Sequence, residues 1–430
     1  MVELVFLIAA PILLLAFGMP IFLVFLTAAV LAASFYLGMP LQAITTAVFG
    51  SLDSFALLAV PLFILAGDIM ARGGIAQRLI EFILSIVGSI RGSLGVATIA
   101  SASAFGAMSG SSVACVAAIG KLTLPSLEKY GNGRNFSVSM ITATGVIDVI
   151  IPPSIPMILY AVTAQQPVNT LFLAGIVPGL IIATGLAIYV MARARVRMIP
   201  VSEPVRWSNV WISARRAIWA MFAPVVILGG IYGGVFTATE AAGVACIYAA
   251  LVSVLIHREL TLRDLWTIAL DSSVLIAQIM IIVAAAGAYS WLITTSGFPA
   301  RLIAFVDGLG LQPWLLLLTI NVILLFVGSL LEPPAAILVL TPLLTPLAQK
   351  MGLDPIHFGL VVTVNLAIGL FLPPFGLNLF ASQALFKVPL TQLYRGVLPF
   401  AVIYLLVLVL LTYVPAITLV PLSWMEARPH

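Results

Sequence analysis

The feature that most constrains this chain is a proline pair that ends an apolar run twice, as Ile151-Pro152-Pro153-Ser154 and again 221 positions later as Leu372-Pro373-Pro374-Phe375. Proline lacks an amide hydrogen and its ring clashes with the preceding turn, so neither stretch can continue as an unbroken helix. The surroundings repeat with the pair. Pro125, Lys129, Gly131, Gly175 and Pro178 return as Pro346, Lys350, Gly352, Gly396 and Pro399 at the same offset. Upstream, Gly74, Arg78, Leu79 and Ile80 return as Gly297, Arg301, Leu302 and Ile303, 223 positions on. A duplicated segment carrying an interrupted apolar helix points to a secondary transporter with broken helices.

Composition fixes the solvent. With 62% hydrophobic and 8% charged residues over 430 positions, there is too little polar surface to cover a soluble globule, so the chain belongs in a bilayer. Apolar runs such as Phe55 to Ala71, Leu171 to Ala192, Ile218 to Phe236 and Gly396 to Tyr413 suit helices crossing roughly 30 Å of hydrocarbon. The alternation of a membrane β-barrel is absent, and an all-α polytopic fold follows. The net charge of +4 matters by location: Arg193, Arg195, Arg197, Arg206, Arg215 and Arg216 face one acid, Glu203, in a single loop, and His257, Arg258 and Arg263 form a second basic loop two crossings later. Both loops are expected in the cytoplasm. Cys115 and Cys246 lie in apolar segments and form no disulfide framework or metal pattern. Met1-Val2-Glu3 offers no basic start for a cleaved signal, so the first apolar stretch is expected to stay as a membrane helix or a tight helix pair.

The expected organisation runs from N-terminal scaffold helices (1–72) through a first transport repeat (73–192), a basic loop with central scaffold helices (193–296) and a second, inverted repeat (297–416) to a tail (417–430). Each repeat has an interfacial helix (Ile75 to Ile90; Phe298 to Leu309), a re-entrant hairpin (Gly92 to Leu127; Pro313 to Lys350) and a broken helix (Phe136 to Ile150; Phe358 to Leu372). Hairpin arms of about 15 residues are short for a crossing. Five crossings separate Pro125 from Pro346, and an odd number turns the second copy upside down, so the hairpins enter from opposite faces and their tips can meet near the midplane.

Broken helices supply carbonyl oxygens for a cation and positive helix N-termini for an anion without burying many charges. The first candidate site is therefore Ser109, Gly110, Ser111 and Ser112 at one hairpin tip with Pro152, Pro153 and Ser154 at the break, and Ser109, Ser112 and Pro152 are the candidate sodium ligands. The second is Glu332, Pro333 and Pro334 with Pro373, Pro374, Gly376, Asn378 and Asn365. For the serines and glycines the alternative role is close helix packing, and for Glu332 and the amides it is capping and interhelical bonding. Asp148, one turn before Pro152, either binds a cation or proton or caps freed amides. Thr237-Ala238-Thr239-Glu240 has the form of a capping box. His257, His357 and His430 are scattered and no triad, metal set or phosphate loop can be assembled, so the chain is not expected to be an enzyme or to need a cofactor.

Gly233-Gly234-Val235-Phe236-Thr237-Ala238-Thr239-Glu240, the Ile151-Pro152-Pro153-Ser154 break, and Asp354-Pro355-Ile356-His357-Phe358-Gly359 followed by Pro373-Pro374-Phe375-Gly376 resemble the large membrane subunit of TRAP transporters over nearly the whole chain. The resemblance implies an ATP-independent, sodium-coupled importer of carboxylate substrates in the bacterial inner membrane, working by an elevator motion. The partners it implies are a small four-helix membrane subunit, expected as a separate chain, and a periplasmic substrate-binding protein. Sodium, an organic acid and membrane lipid would contact the chain, and no nucleic acid would. The chain departs from the family's pattern at Pro334 and Leu372, where threonine is common, and at Ala238, where proline is. The rival readings are a stand-alone divalent-anion/sodium symporter of similar architecture and a channel, which would need a continuous polar pore.

Overall fold

A computed structural model of the chain describes residues 5–86, 90–201 and 204–426. Met1-Val2-Glu3, Glu203, His430 and positions 87–89 of the expected interfacial helix lie outside the described residues. The described chain is helical throughout, and eight of its helices are long and apolar enough to cross a membrane. Large apolar side chains remain open on their outer faces, among them Phe222, Val225, Phe326 and Leu406. In water such a surface would drive aggregation, and hydrocarbon is the solvent it fits.

The first apolar stretch is a helix pair, Val5–Ala16 and Ile21–Leu37, turning at Gly18 in the left-handed region (φ 77°). Leu41–Leu52 and Phe55–Arg72 follow. Ala59–Arg72 packs on Ala238–Leu251, whose Ala241, Ala242, Ala245 and Ala249 are fully buried at helical spacing. Residues this small let two helix backbones approach closely, which is how helices associate where no hydrophobic effect drives them together. Thr237 and Glu240 form the expected reciprocal cap at the start of that helix: the Thr237 N–H donates to Glu240 Oε2 (2.8 Å) and the Glu240 N–H to Thr237 Oγ1 (3.2 Å).

The duplication appears element by element. Ile75–Ile86, the arms Ser93–Ser109 and Ser112–Lys129, the broken pair Arg134–Thr144 and Ile155–Thr163, and Val168–Val196 form the first copy. Phe298–Gly308, Pro313–Leu330, Pro333–Lys350, Pro355–Gly369, Leu377–Phe386 and Leu390–Tyr413 form the second. The arms are 17 or 18 residues long, somewhat longer than expected, and the returning arms run on through Pro125, Pro342 and Pro346. Between the hairpins lie five crossing-length segments: Arg134–Thr163, Val168–Val196, Trp207–Tyr232, Ala238–Ile256 and Leu262–Thr295.

The broken helices form the interior. Every residue from Ile356 to Gly369 is buried, as is 89% of the apolar window of Arg134–Thr163. Small side chains let neighbours close on them: a Cβ at Gly369 would sit 2.2 Å from the Gly328 carbonyl carbon, and one at Gly106 would sit 2.7 Å from the Asp148 Cα. The stretch expected as a tail contains a further helix, Ala416–Glu426, whose Thr418 hydroxyl lies 2.8 Å from His357 Nδ1 in the interior.

Candidate functional site

Both hairpin tips open onto one cavity of about 600 Å³. Ser109 through Ser112 line it from the first hairpin and Glu332, Pro333 and Pro334 from the second, with Ile64, Gly67, Asp68, Leu275 and Ile279 opposite. Four helices begin at its wall, at Ser112, Ile155, Pro333 and Leu377. Each directs the positive end of its peptide dipoles toward it. The partner helices end beside them at Ser109, Ile150, Leu330 and Gly369, where carbonyl oxygens are left over. Among the described residues the lining includes two carboxylates, Asp68 and Glu332, and no lysine, arginine or histidine. Helix termini therefore provide the positive potential that side chains elsewhere would.

At the first tip Gly110 turns through the left-handed region (φ 65°), which a residue without a Cβ adopts at no steric cost. Its N–H donates to Asp148 Oδ1 (3.1 Å), and Asp148 Oδ2 is buried without a hydrogen-bond partner. Asp148 thus caps a freed amide, as one of its two readings had it, while the second oxygen stays available to a cation. Ser109 Oγ accepts the Ser111 N–H (3.2 Å). Ser112 Oγ donates to Asn378 Oδ1 (3.0 Å), joining the first hairpin to the second break. Pro152 and Pro153 are buried behind the tip, where the Pro153 carbonyl would lie 3.8 Å from a Cβ on Gly110. Ser154 accepts the Met157 N–H (3.4 Å) and so starts Ile155–Thr163, while its hydroxyl donates back to the Val149 carbonyl.

At the second tip Glu332 stands at the helix start without a side-chain cap bond, on the cavity wall. Pro373, Pro374 and Gly376 form the second break behind Leu370 and Leu377. The Pro374 carbonyl accepts the Tyr394 hydroxyl (2.8 Å), and a Cβ on Gly376 would meet the Leu370 carbonyl at 2.6 Å. Both Pro–Pro peptides are cis. Asn365 is placed away from the lining: its Nδ2 donates to Asn321 Oδ1 (2.6 Å) and to the Val361 carbonyl (2.8 Å), and Asn321 Nδ2 donates to Thr412 Oγ1 (3.0 Å). These amides tie three helices together. Thr142 and Ser382, with hydroxyls 2.6 Å apart, tie the two broken helices in the same way.

Two features of the site went unread in the sequence. Asp68 faces the cavity from Phe55–Arg72 and accepts the Ser272 hydroxyl at 2.6 Å; an acid inside an apolar crossing was the available signal. The cavity also has a direction. It reaches Ala71 and Leu385, next to Phe386, whose carbonyl accepts Arg134 Nη2 (2.9 Å), so it extends toward the ends where the polar loop 128–135 lies. A second cavity, about 730 Å³, lies against Ser51, Thr163, Gly287, Trp291 and Leu338.

Broken helices paired with hairpins around a shared cavity define a membrane secondary transporter. Residues 8–417 match the family described as the DctM component of the tripartite ATP-independent periplasmic transporter. The chain is 40% identical over 377 residues to the C4-dicarboxylate TRAP transporter large permease protein DctM of Pseudomonas aeruginosa, with 88% of each chain covered. It is 38% identical over 364 residues to the ectoine TRAP transporter large permease protein TeaC of Halomonas elongata, with 85% of each covered. It is 35% identical over 374 residues to the 2,3-diketo-L-gulonate TRAP transporter large permease protein YiaN of Escherichia coli, with 87% and 88% covered. The chain belongs to this family of large permease subunits, whose members are transporter components rather than enzymes. Its fold is also similar to the YdaH transporter of Alcanivorax borkumensis, with a TM-score of 0.66 over 96% of this chain and 99% of that one at 13% identity, a likeness of fold alone.

Proposed function

We propose that this chain is the subunit through which a carboxylate-bearing organic acid crosses the bacterial inner membrane, coupled to sodium and carried by an elevator displacement of the two repeats against the remaining helices. The observation that carries the reading is the convergence of four helix N-termini on one cavity whose lining, among the described residues, has no basic side chain. Such ends stabilise a carboxylate, each by about 0.3–1 kcal/mol when exposed and more when partly buried. The buried, unpartnered Asp148 Oδ2 beside the first tip and the hydroxyls of Ser109 and Ser112 suit a hard cation, which prefers oxygen ligands. A cation there also offsets the repulsion that Asp68 and Glu332 exert on an anionic cargo. The basic loops support a cytoplasmic position for the open end of the cavity, and on that reading this conformation faces inward.

Family membership supports a small membrane subunit and a periplasmic binding protein as the partners, with capture of dilute substrate left to the latter. The test is reconstitution in proteoliposomes under an inward sodium gradient, with a C4-dicarboxylate, ectoine and 2,3-diketo-L-gulonate as the panel. Uptake of one panel member is expected when the small subunit and the cognate binding protein are present, and little by the chain alone. Robust sodium-driven uptake by the isolated chain would favour the stand-alone symporter, and substrate-independent conductance would favour a channel.

A further inference from the structure

A separate cavity of about 540 Å³ lies at the end of the fold that carries the basic loops. Ser85 of Ile75–Ile86, Ser126 and Tyr130 at the base of the first hairpin, and Arg206, Asn209 and Arg216 at the start of Trp207–Tyr232 supply its polar wall. Among the described residues no carboxylate lines it, and neither arginine takes part in an ion pair. Two exposed guanidinium groups, hydroxyl and amide donors, and the N-terminal end of a 26-residue helix meet here. Each of these favours a phosphate.

Leu84, Leu94, Val205 and Ile212 supply an apolar part of the wall, and exposed aromatic side chains flank it. Trp207 and Trp211 are 79% and 74% exposed and, spaced four apart, share one face of their helix. Tryptophans so placed anchor a helix at the headgroup level of a bilayer. A cationic, donor-rich pocket at that depth, with apolar walls leading into the membrane, has the chemistry of a lipid headgroup site rather than of a site for a soluble anion.

We propose that this pocket binds the phosphate headgroup of an anionic phospholipid in the leaflet facing the basic loops, with Arg206 and Arg216 as its principal ligands and the acyl chains lying along the Trp207–Trp211 face. The bound lipid bridges the base of the first hairpin to Trp207–Tyr232. The site does not depend on the transport reading, because it uses none of the residues at the hairpin tips.

Native mass spectrometry of the purified full-length chain in detergent, titrated with phosphatidylglycerol, tests this. The wild type is expected to retain phosphatidylglycerol over phosphatidylcholine. R206Q/R216Q is expected to lose roughly thirtyfold in apparent affinity, from about a factor of five per arginine at a membrane surface. R206K/R216K should recover most of the loss, and R195Q/R197Q, which alters basic residues outside the pocket, should bind like the wild type. Equal retention of the two lipids, an unchanged R206Q/R216Q, or the same loss in R195Q/R197Q would overturn the proposal. Displacement of phosphatidylglycerol by millimolar inorganic phosphate would overturn it in favour of a small-anion site.

Discussion

Gly67 is where an elevator motion should be most sensitive to a single methyl group. It lies in Ala59–Arg72 against the first hairpin tip, and a Cβ there would sit 2.9 Å from the Ser109 carbonyl oxygen, 3.0 Å from the Ser109 Cα and 3.3 Å from the Met108 carbonyl oxygen. All three are backbone atoms, so no rotamer change relieves the clash, and Gly67→Ala must push the tip away. Overpacking of this kind costs about 1–3 kcal/mol. The better helix propensity of alanine acts equally in every state and so leaves the balance between states unchanged. If the tip leaves Gly67 when the repeats move, the cost falls on the present conformation alone and lowers its population relative to the other by about 5- to 150-fold. Ala384 is exposed on the cavity wall, so an Ala384→Cys reporter, with Cys115 and Cys246 replaced, reads that population as its labelling rate by an impermeant maleimide in inside-out vesicles. The rate should fall in Gly67→Ala, by up to that factor. A folded Gly67→Ala protein whose labelling rate matched its parent would refute the reasoning, because the tip would then keep the same contact throughout the cycle.

Other outcomes follow from the same geometry. Ser112→Ala removes the 3.0 Å bond to Asn378; it should cost about 0.6–1.7 kcal/mol of stability, as interhelical bonds in membranes do, yet raise the sodium needed for half-maximal uptake by about tenfold, and combining it with Ser109→Ala should raise it further. An unmoved sodium curve would return both serines to packing. Single cysteines in the loops 128–135 and 350–355 should label from opposite faces, the first from the cytoplasm; labelling from one face would sink the inverted repeat. Thr237→Ala should lower stability by about 1 kcal/mol through loss of the cap at Ala238–Leu251, read as a lower melting temperature; an unchanged melt would show that the cap bond contributes nothing there.

Asp148 and Asn365 show how far sequence reading reached at the site. Both are polar residues in apolar helices, and nothing in their spacing tells whether each faces a ligand or another helix. The fold separates them by place: Asp148 takes the Gly110 amide at the first tip, while Asn365 Nδ2 donates to Asn321 and the Val361 carbonyl where three helices pack. Asp68 was visible as an acid in a crossing segment, but only the packing of Phe55–Arg72 against the hairpin turned it toward the cavity.

What the sequence determined by itself were the properties that follow from local covalent chemistry and from the solvent. Proline's missing amide hydrogen broke the helices at Pro152 and Pro373, low charge demanded a bilayer, arginine-rich loops marked one face, and the duplication fixed the order of elements. What tertiary structure decided were the long-range coincidences: the bond from Ser112 to Asn378, 266 positions away, the meeting of both tips at one cavity, and the end of the fold toward which that cavity opens. These depend on side chains from distant segments occupying the same few ångströms, and local pattern carries no information about which distant surfaces will fit.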